Sequence, residues 1–283
     1  MEKLILWWQH LPENIQPVIF SIGPMQVRWY GLMYIAAFLT VYLIVLYRIK
    51  TERFQYDRDT IIDFLFWAML GVFIGGRFGY VVFYDLSYFL AHPLEIICPF
   101  TFSDGFRYTG IYGMSYHGGL LGVATAFTLF CRKRKISLWH FADLFIPAIT
   151  AGYTFGRLGN FINGELYGRI TKVPWGMYFP LDSLQSLRHP SQLYEAFFEG
   201  IFLFVILWSL RKKKYFDGFL FSLYFIGYGL VRFFIEFVRE PDSHLGFIVG
   251  SFTMGQILCF CMIVAGAALF FVRKSHGEKK NCH

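Results

Sequence analysis

The sequence predicts an all-α polytopic membrane protein: about seven transmembrane helices carrying a small extracytoplasmic cap. Three observations support this. Of 283 residues, 56% are hydrophobic and 21% aromatic while only 16% are charged, too little charge to coat a water-soluble domain of this size. Apolar segments near 25–47, 60–84, 115–131, 140–162, 191–210, 218–238 and 248–272 are long enough to cross roughly 30 Å of hydrocarbon at about 1.5 Å per residue. Every second connection between them is basic.

The basic connections set the orientation. Arg48, Lys50, Arg53 and Arg58 follow the first segment, Arg132 to Lys135 the third, and Arg211 to Lys214 the fifth. Arg273, Lys274, Lys279 and Lys280 follow the seventh. The positive-inside rule then puts the N-terminus outside and the C-terminus in the cytoplasm, which an even number of spans would not allow. The same distribution accounts for the net charge of +7 without nucleic acid as a partner. We expect one integral-membrane domain over residues 1–283. Its cap segments lie near 85–114 and 163–190, rich in Gly, Pro, Asp and aromatics and with little helical periodicity, and a basic tail near 273–283 is solvated and attracted to anionic lipid.

Targeting and cysteine chemistry add little. Leu4 to Trp8 is too short for the apolar core of a cleavable signal peptide, and Trp7 and Trp8 read as interface anchors. Cys98, Cys131, Cys259, Cys261 and Cys282 have neither metal-ligand spacing nor evident pairing, so neither a metal nor a disulfide framework is expected.

Function is read from polar residues inside apolar segments. The stretch Gly156-Arg-Leu-Gly-Asn-Phe-Ile-Asn-Gly-Glu-Leu-Tyr-Gly168 places Arg157 near the end of a buried helix, where a cation costs several kcal/mol unless paired or wet. Arg157 and Asn160 share a helix face, and together they offer a planar fork of donors and an amide to one phosphate. Glu165 suits orienting the arginine or a headgroup hydroxyl. Gly156, Gly159, Gly164 and Gly168 admit a headgroup or a second backbone. In the sixth segment Tyr228, Arg232 and Glu236 recur every four residues as one polar stripe, continued by Arg239, Glu240 and Asp242. The Arg232–Glu236 spacing permits an ion pair, which a purely structural role would also explain.

Other polar positions are more ambiguous. His117, in His117-Gly118-Gly119, has two glycines that open space beside its imidazole. Tyr30, in Trp29-Tyr30-Gly31, reads equally as an interface anchor or a site residue. The string His189-Pro-Ser-Gln-Leu-Tyr-Glu195 opens the fifth segment, with Gln192, Glu195 and Glu199 on one face, and reads as a structural helix start. Arg77 is a candidate cavity-lining residue and Asp143 a structural partner. A weak echo links Gly75-Gly76-Arg77-Phe78-Gly79-Tyr80 to Gly156-Arg157-Leu158-Gly159-Asn160; shared glycine packing explains it as well as duplication does.

Taken in order, these motifs resemble the bacterial phosphatidylglycerol–prolipoprotein diacylglyceryl transferases over essentially the whole chain. The resemblance implies a multi-pass enzyme of the bacterial cytoplasmic (inner) membrane that uses no metal or cofactor. It would move diacylglycerol from phosphatidylglycerol to the thiol of a lipobox cysteine, the residue after a prolipoprotein signal peptide's apolar core. It also implies catalytic roles for His117, Arg157, Arg232 and Tyr30. Phosphatidylglycerol would be held by Arg157, Asn160, Glu165, Gly168, Tyr228, Arg232 and Glu236. The thiol, with an ordinary pKa of about 8.5, needs a base or a positive field, and His117 is one acceptor for its proton. A lipid or anion transporter would also bury arginines, but should repeat broken helices in both halves. An intramembrane protease would need a Ser/His or paired-Asp constellation, which Asp63 and Asp143 do not make.

Overall fold

The computed structural model describes residues 2–23, 25–52, 54–98, 100–101, 107–108, 113–213, 215–240, 247–249 and 252–281. Arg53, Lys214, Asp242 and Cys282, on which parts of the expectation rest, lie outside them. The chain forms two compact units, Met1–Phe54 with Ala142–His283, and Gln55–Phe141.

Helices dominate both. They are α1 (Glu2–Gln9), α2 (Trp29–Thr51), α3 (Arg58–Phe83), α4 (Leu86–Ala91), α5 (Tyr116–Arg134) and α6 (Leu138–Ile162). Next come α7 (Ser191–Glu195), a π segment over Ala196–Phe202, α8 (Leu203–Leu210), α9 (Phe219–Ile235) and α10 (Met254–Asn281). Among the described residues, four helices are long and apolar enough to cross a membrane: α2, α3, the continuous helix Ser191–Lys213, and α10 over Met254–His276. Helices α5, α6 and α9 occupy the other three predicted segments. The described residues also form three short antiparallel pairs, β1 (Val18–Ile22) with β2 (Met25–Arg28), β3 (Phe100–Thr101) with β4 (Arg107–Tyr108), and β5 (Phe247–Val249) with β6 (Phe252–Thr253).

Two boundaries differ from the expectation for the same reason. In the first and last predicted segments the helices, α2 and α10, start at Trp29 and Met254 rather than near 25 and 248, because the apolar residues ahead of each pair as antiparallel strands. Gly23, at φ +58°, turns the first of these hairpins. The 85–114 segment also holds a helix, α4, that composition did not suggest.

In the Gln55–Phe141 unit, glycine sets the helix packing. Gly71, Gly75 and Gly79 of α3 face Gly118 and Gly122 of α5. A methyl group at Gly75 would lie 2.4 Å from the Gly118 carbonyl oxygen, and one at Gly122 would lie 2.0 Å from that of Gly71. Only backbones without side chains approach so closely. Gly118 is therefore a packing residue and does not open space beside His117. Asp57 caps α3 by accepting from the Thr60 amide at 2.9 Å, and Ser115 caps α5 through the Gly118 amide at 3.2 Å. Arg77 donates to the carbonyls of Ile96 (2.7 Å) and Glu95 (2.6 Å), so it ties down the 85–114 segment.

The larger unit is organised around Pro147, inside α6. Proline has no amide hydrogen, so the Asp143 carbonyl loses its helical donor. Arg48 of α2 replaces it: Nη1 donates to the carbonyls of Asp143 (2.7 Å) and Leu144 (2.6 Å). Its Nη2 pairs with Glu52 at 2.6 Å, and Glu52 in turn accepts from Arg211 at 2.9 Å. The Asp143 carboxylate accepts from the amides of Gly218 and Phe221, capping α9. Arg48 is fully buried, an internal clamp rather than a solvated topology charge.

The 163–190 segment belongs to this unit and is tied at both ends. Phe161, Met177 and Phe179 form its core with Trp8, Leu11 and Ile15 packed against them. Arg188 grips Asp182 through two bonds of 2.8 and 2.7 Å. Those bonds hold the Asp182 carboxyl below its ordinary range.

Two outcomes follow from these contacts. Arg48→Met should destabilise the protein by about 3 kcal/mol, the cost of taking one of two cationic partners from buried Glu52 and leaving the Asp143 carbonyl without a donor. Adding Pro147→Ala returns an amide to Asp143 and should recover part of that loss in thermal unfolding; equal shifts in both backgrounds would contradict the clamp. The Asp182–Arg188 pair contributes fully above the ordinary carboxylate range and is lost as pH falls through the lowered folded value. The unfolding midpoints of wild type and Asp182→Asn should therefore differ at neutral pH and converge in acid.

Candidate active site

The Met1–Phe54 and Ala142–His283 unit contains a cluster of buried charges among apolar helices. Arg157 comes from the C-terminal third of α6, Glu195 from the end of α7, Glu199 from the π segment, and Arg232 from α9. Glu195 joins the two arginines: Oε2 lies 2.7 Å from Arg157 Nε and Oε1 lies 2.9 Å from Arg232 Nη1. Glu199 Oε1 is 3.6 Å from the same Nη1, and Glu236 Oε1 is 2.6 Å from Arg232 Nη2. Arg239 approaches Glu236 at 3.8 Å, so three guanidinium groups meet three carboxylates. Burying them becomes tolerable because each charge has an opposite at contact distance.

Tyr153 organises the near side of the cluster. Its hydroxyl accepts from Arg157 Nε at 2.6 Å and donates to Glu199, while its ring lies beneath the Arg157 guanidinium at 4.8 Å. The π segment helps place the carboxylates. Its wider turn follows Glu195 directly, and Gly200 lets it approach α6 so closely that a methyl there would lie 2.2 Å from Thr154 Oγ1.

Several contacts are ionic without being aligned hydrogen bonds. Among the described residues, both oxygens of Glu195, Oε1 of Glu199 and Nη1 of Arg232 are buried without a hydrogen-bond partner. Among the described residues, the hydrogen bond that Arg157 Nη1 makes is a long one of 3.4 Å to Asn160 Oδ1. The two arginines thus retain donor capacity for an anion. A methyl at Gly156 would meet nothing within 4 Å, which leaves open space on the chain beside Arg157.

A second polar group adjoins the first. Asn160 Nδ2 donates to Glu165 Oε1 at 2.8 Å, and Asn163 Nδ2 approaches the same oxygen at 3.5 Å. Of the two expected partners for Glu165, an arginine or a headgroup hydroxyl, the contacts here show neither: its carboxylate meets Asn160 and Asn163. Gln192, fully buried, donates to the Glu165 carbonyl at 2.7 Å. Tyr30 packs against Gly159, where a methyl would lie 3.0 Å from its ring, and its hydroxyl is 3.1 Å from that of Tyr34. Tyr228 stands edge-on to Tyr153 with centroids 6.0 Å apart.

The sequence-derived residues therefore divide. Tyr30, Arg157, Asn160, Glu165, Tyr228, Arg232 and Glu236 lie in this unit around the charge cluster or next to it. Gly168 lies where the 163–190 segment crosses the end of α9: it bridges to Arg239, and a methyl there would lie 2.4 Å from the Val238 carbonyl oxygen. His117, in the first turn of α5, is exposed and belongs to the Gln55–Phe141 unit. Sequence reasoning assigned Glu195 and Glu199 to helix structure and missed Tyr153. Two carboxylates in an apolar span were the available signal for the first two; Tyr153 carried none.

The profile of the family described as "Prolipoprotein diacylglyceryl transferase" matches residues 17–272. A phosphatidylglycerol--prolipoprotein diacylglyceryl transferase of Chlorobaculum tepidum is 57% identical over 273 residues, 96% of this chain and 94% of its own length. Proteins of the same name from Aliarcobacter butzleri and Legionella pneumophila (strain Lens) are also similar. The first is 43% identical over 95% of this chain and 97% of its own length, the second 44% identical over 92% and 98%. By the extent of these matches, the chain belongs to the prolipoprotein diacylglyceryl transferase family.

Proposed function

We propose that this protein transfers the diacylglyceryl group of phosphatidylglycerol to the thiol of a prolipoprotein's lipobox cysteine. Family membership supports the reaction, and one observation supports its chemistry: Glu195 holds Arg157 and Arg232 side by side in an apolar setting. In this reaction a carbon–sulfur bond forms as the carbon–oxygen bond to the phosphate breaks. The thiol proton passes to a base, and glycerol phosphate leaves with the bonding electrons. Negative charge grows on the phosphate, so fixed cations in a dry site favour the transition state.

The lipid phosphate competes with Glu195 for guanidinium protons. Misaligned carboxylate contacts are the weaker ones, and phosphate oxygens match a guanidinium fork in geometry. Before the lipid arrives, the carboxylates keep both cations oriented. Asn160 and Glu165 meet the headgroup glycerol, with Tyr30 alongside; Tyr228 and Glu236 support Arg232, and Gly168 lets the 163–190 segment lie close against the Val238 backbone beside the site. His117 takes the thiol proton, a role supported by its exposed ring at a helix start and its family motif.

The same reading covers topology. Seven helices cross the bacterial inner membrane, with the N-terminus outside and the C-terminus in the cytoplasm. The 85–114 and 163–190 segments cap the outer face of one integral domain. The alternation of basic connections supports this arrangement.

Purified protein mixed with phosphatidylglycerol and a lipobox peptide should yield the thioether-linked diacylglyceryl peptide, detected by mass. Failure to form it under conditions that keep the protein folded would overturn the assignment. Arg157→Lys keeps the charge but loses the fork, and should slow transfer about a hundredfold; wild-type rates would remove the phosphate clamp. His117→Ala should cost at least about a hundredfold, and a loss below about tenfold would move the base elsewhere.

A further inference from the structure

Helix α10 begins with a reciprocal cap. The Thr253 amide donates to Gln256 Oε1 at 3.0 Å, and the Gln256 amide donates to Thr253 Oγ1 at 3.3 Å. Because that hydroxyl accepts from the amide, its own proton is available, and it donates to Glu236 Oε2 at 3.2 Å. Gly255 lies against the same carboxylate. A methyl there would sit 2.8 Å from Glu236 Cδ, 2.9 Å from Oε1 and 3.0 Å from Oε2.

Glu236 thus rests on the first turn of α10, where unpaired amides and the helix dipole favour an anion. Helix formation does not explain Gly255, since glycine inside a helix costs about 1 kcal/mol relative to alanine. Room for the carboxylate does explain it. The two oxygens of Glu236 are divided: Oε2 is held by Thr253, and Oε1 receives Arg232 Nη2 at 2.6 Å. Thr253, Gln256 and Glu236 are all buried, so water does not offer the carboxylate an equivalent alternative.

We propose that Thr253, Gly255 and Gln256 are positioning residues for the transfer reaction: they fix Glu236, and through it aim Arg232 at the donor phosphate. The proposal rests on Arg232 being part of the phosphate clamp. Thr253→Val keeps the shape but loses the donor, and should lower kcat/KM for phosphatidylglycerol about tenfold, roughly the effect of one hydrogen bond to a charged group. Thr253→Ser should restore it. Gly255→Ala should act like Thr253→Val, because the end of the Glu236 side chain gives way before the backbone does.

The test compares phosphatidylglycerol binding and kcat/KM in monodisperse purified variants, with Arg232→Gln as reference. Binding weakened by Thr253→Val, restored by Thr253→Ser and unchanged by Thr253→Val in a Glu236→Ala background is the expected result. If Arg232→Gln itself binds and turns over normally, the clamp reading falls, and the proposal with it. If Arg232→Gln is defective while Thr253→Val and Gly255→Ala match wild type, the clamp stands and the positioning role is overturned. A Thr253→Ser variant as defective as Thr253→Val, or an undiminished effect in the Glu236→Ala background, also overturns it.

Discussion

Glu195 is the contact on which the charge cluster depends. A guanidinium group left alone among apolar helices costs several kcal/mol, and this unit buries two of them within reach of a single carboxylate. Everything nearby follows from making that arrangement tolerable. Glu199 and Glu236 supply further negative charge, Tyr153 bridges Arg157 to Glu199, and Arg239 restores the balance. A cluster balanced in this way can exchange one anion for another, which a structural ion pair with every hydrogen bond aligned would do poorly.

The supporting frame solves a different problem with similar means. Pro147 breaks the backbone ladder of α6, and Arg48 donates to the Asp143 carbonyl that the break exposes and to that of Leu144 beside it. The same arginine reaches Glu52 and, through it, Arg211. A buried cation thus serves here as backbone glue, whereas the partners of Arg157 and Arg232 among the described residues are side chains. The difference is in their partners: two backbone carbonyls anchor Arg48, while carboxylates and the Tyr153 hydroxyl hold the other two.

Much of this was legible in the sequence, for identifiable reasons. Hydropathy marked the helical segments because apolar length is a one-dimensional property, and the four-residue spacing of Arg232 and Glu236 placed them on one face. The hairpins before α2 and α10 were not legible, since Val18–Ile22 and Phe247–Val249 are as apolar as the helices they precede. Glu195 and Glu199 were visible as polar residues, but their assignment needed the partner helix: nothing local says that Arg157 and Arg232 converge on one of them. Arg48 misled in the opposite direction. In sequence it is one basic residue among several at the end of a span, and only the Pro147 break across the unit makes it internal. The glycines split likewise, with Gly118 and Gly168 placed by close backbone approach and Gly156 left beside open space.

An experimental structure of the protein bound to phosphatidylglycerol tests the account most directly. It should show phosphate oxygens within hydrogen-bond distance of the guanidinium groups of both Arg157 and Arg232, with Glu195 drawn back from at least one of them. A headgroup seated elsewhere, with both arginines still facing only glutamates, would contradict it.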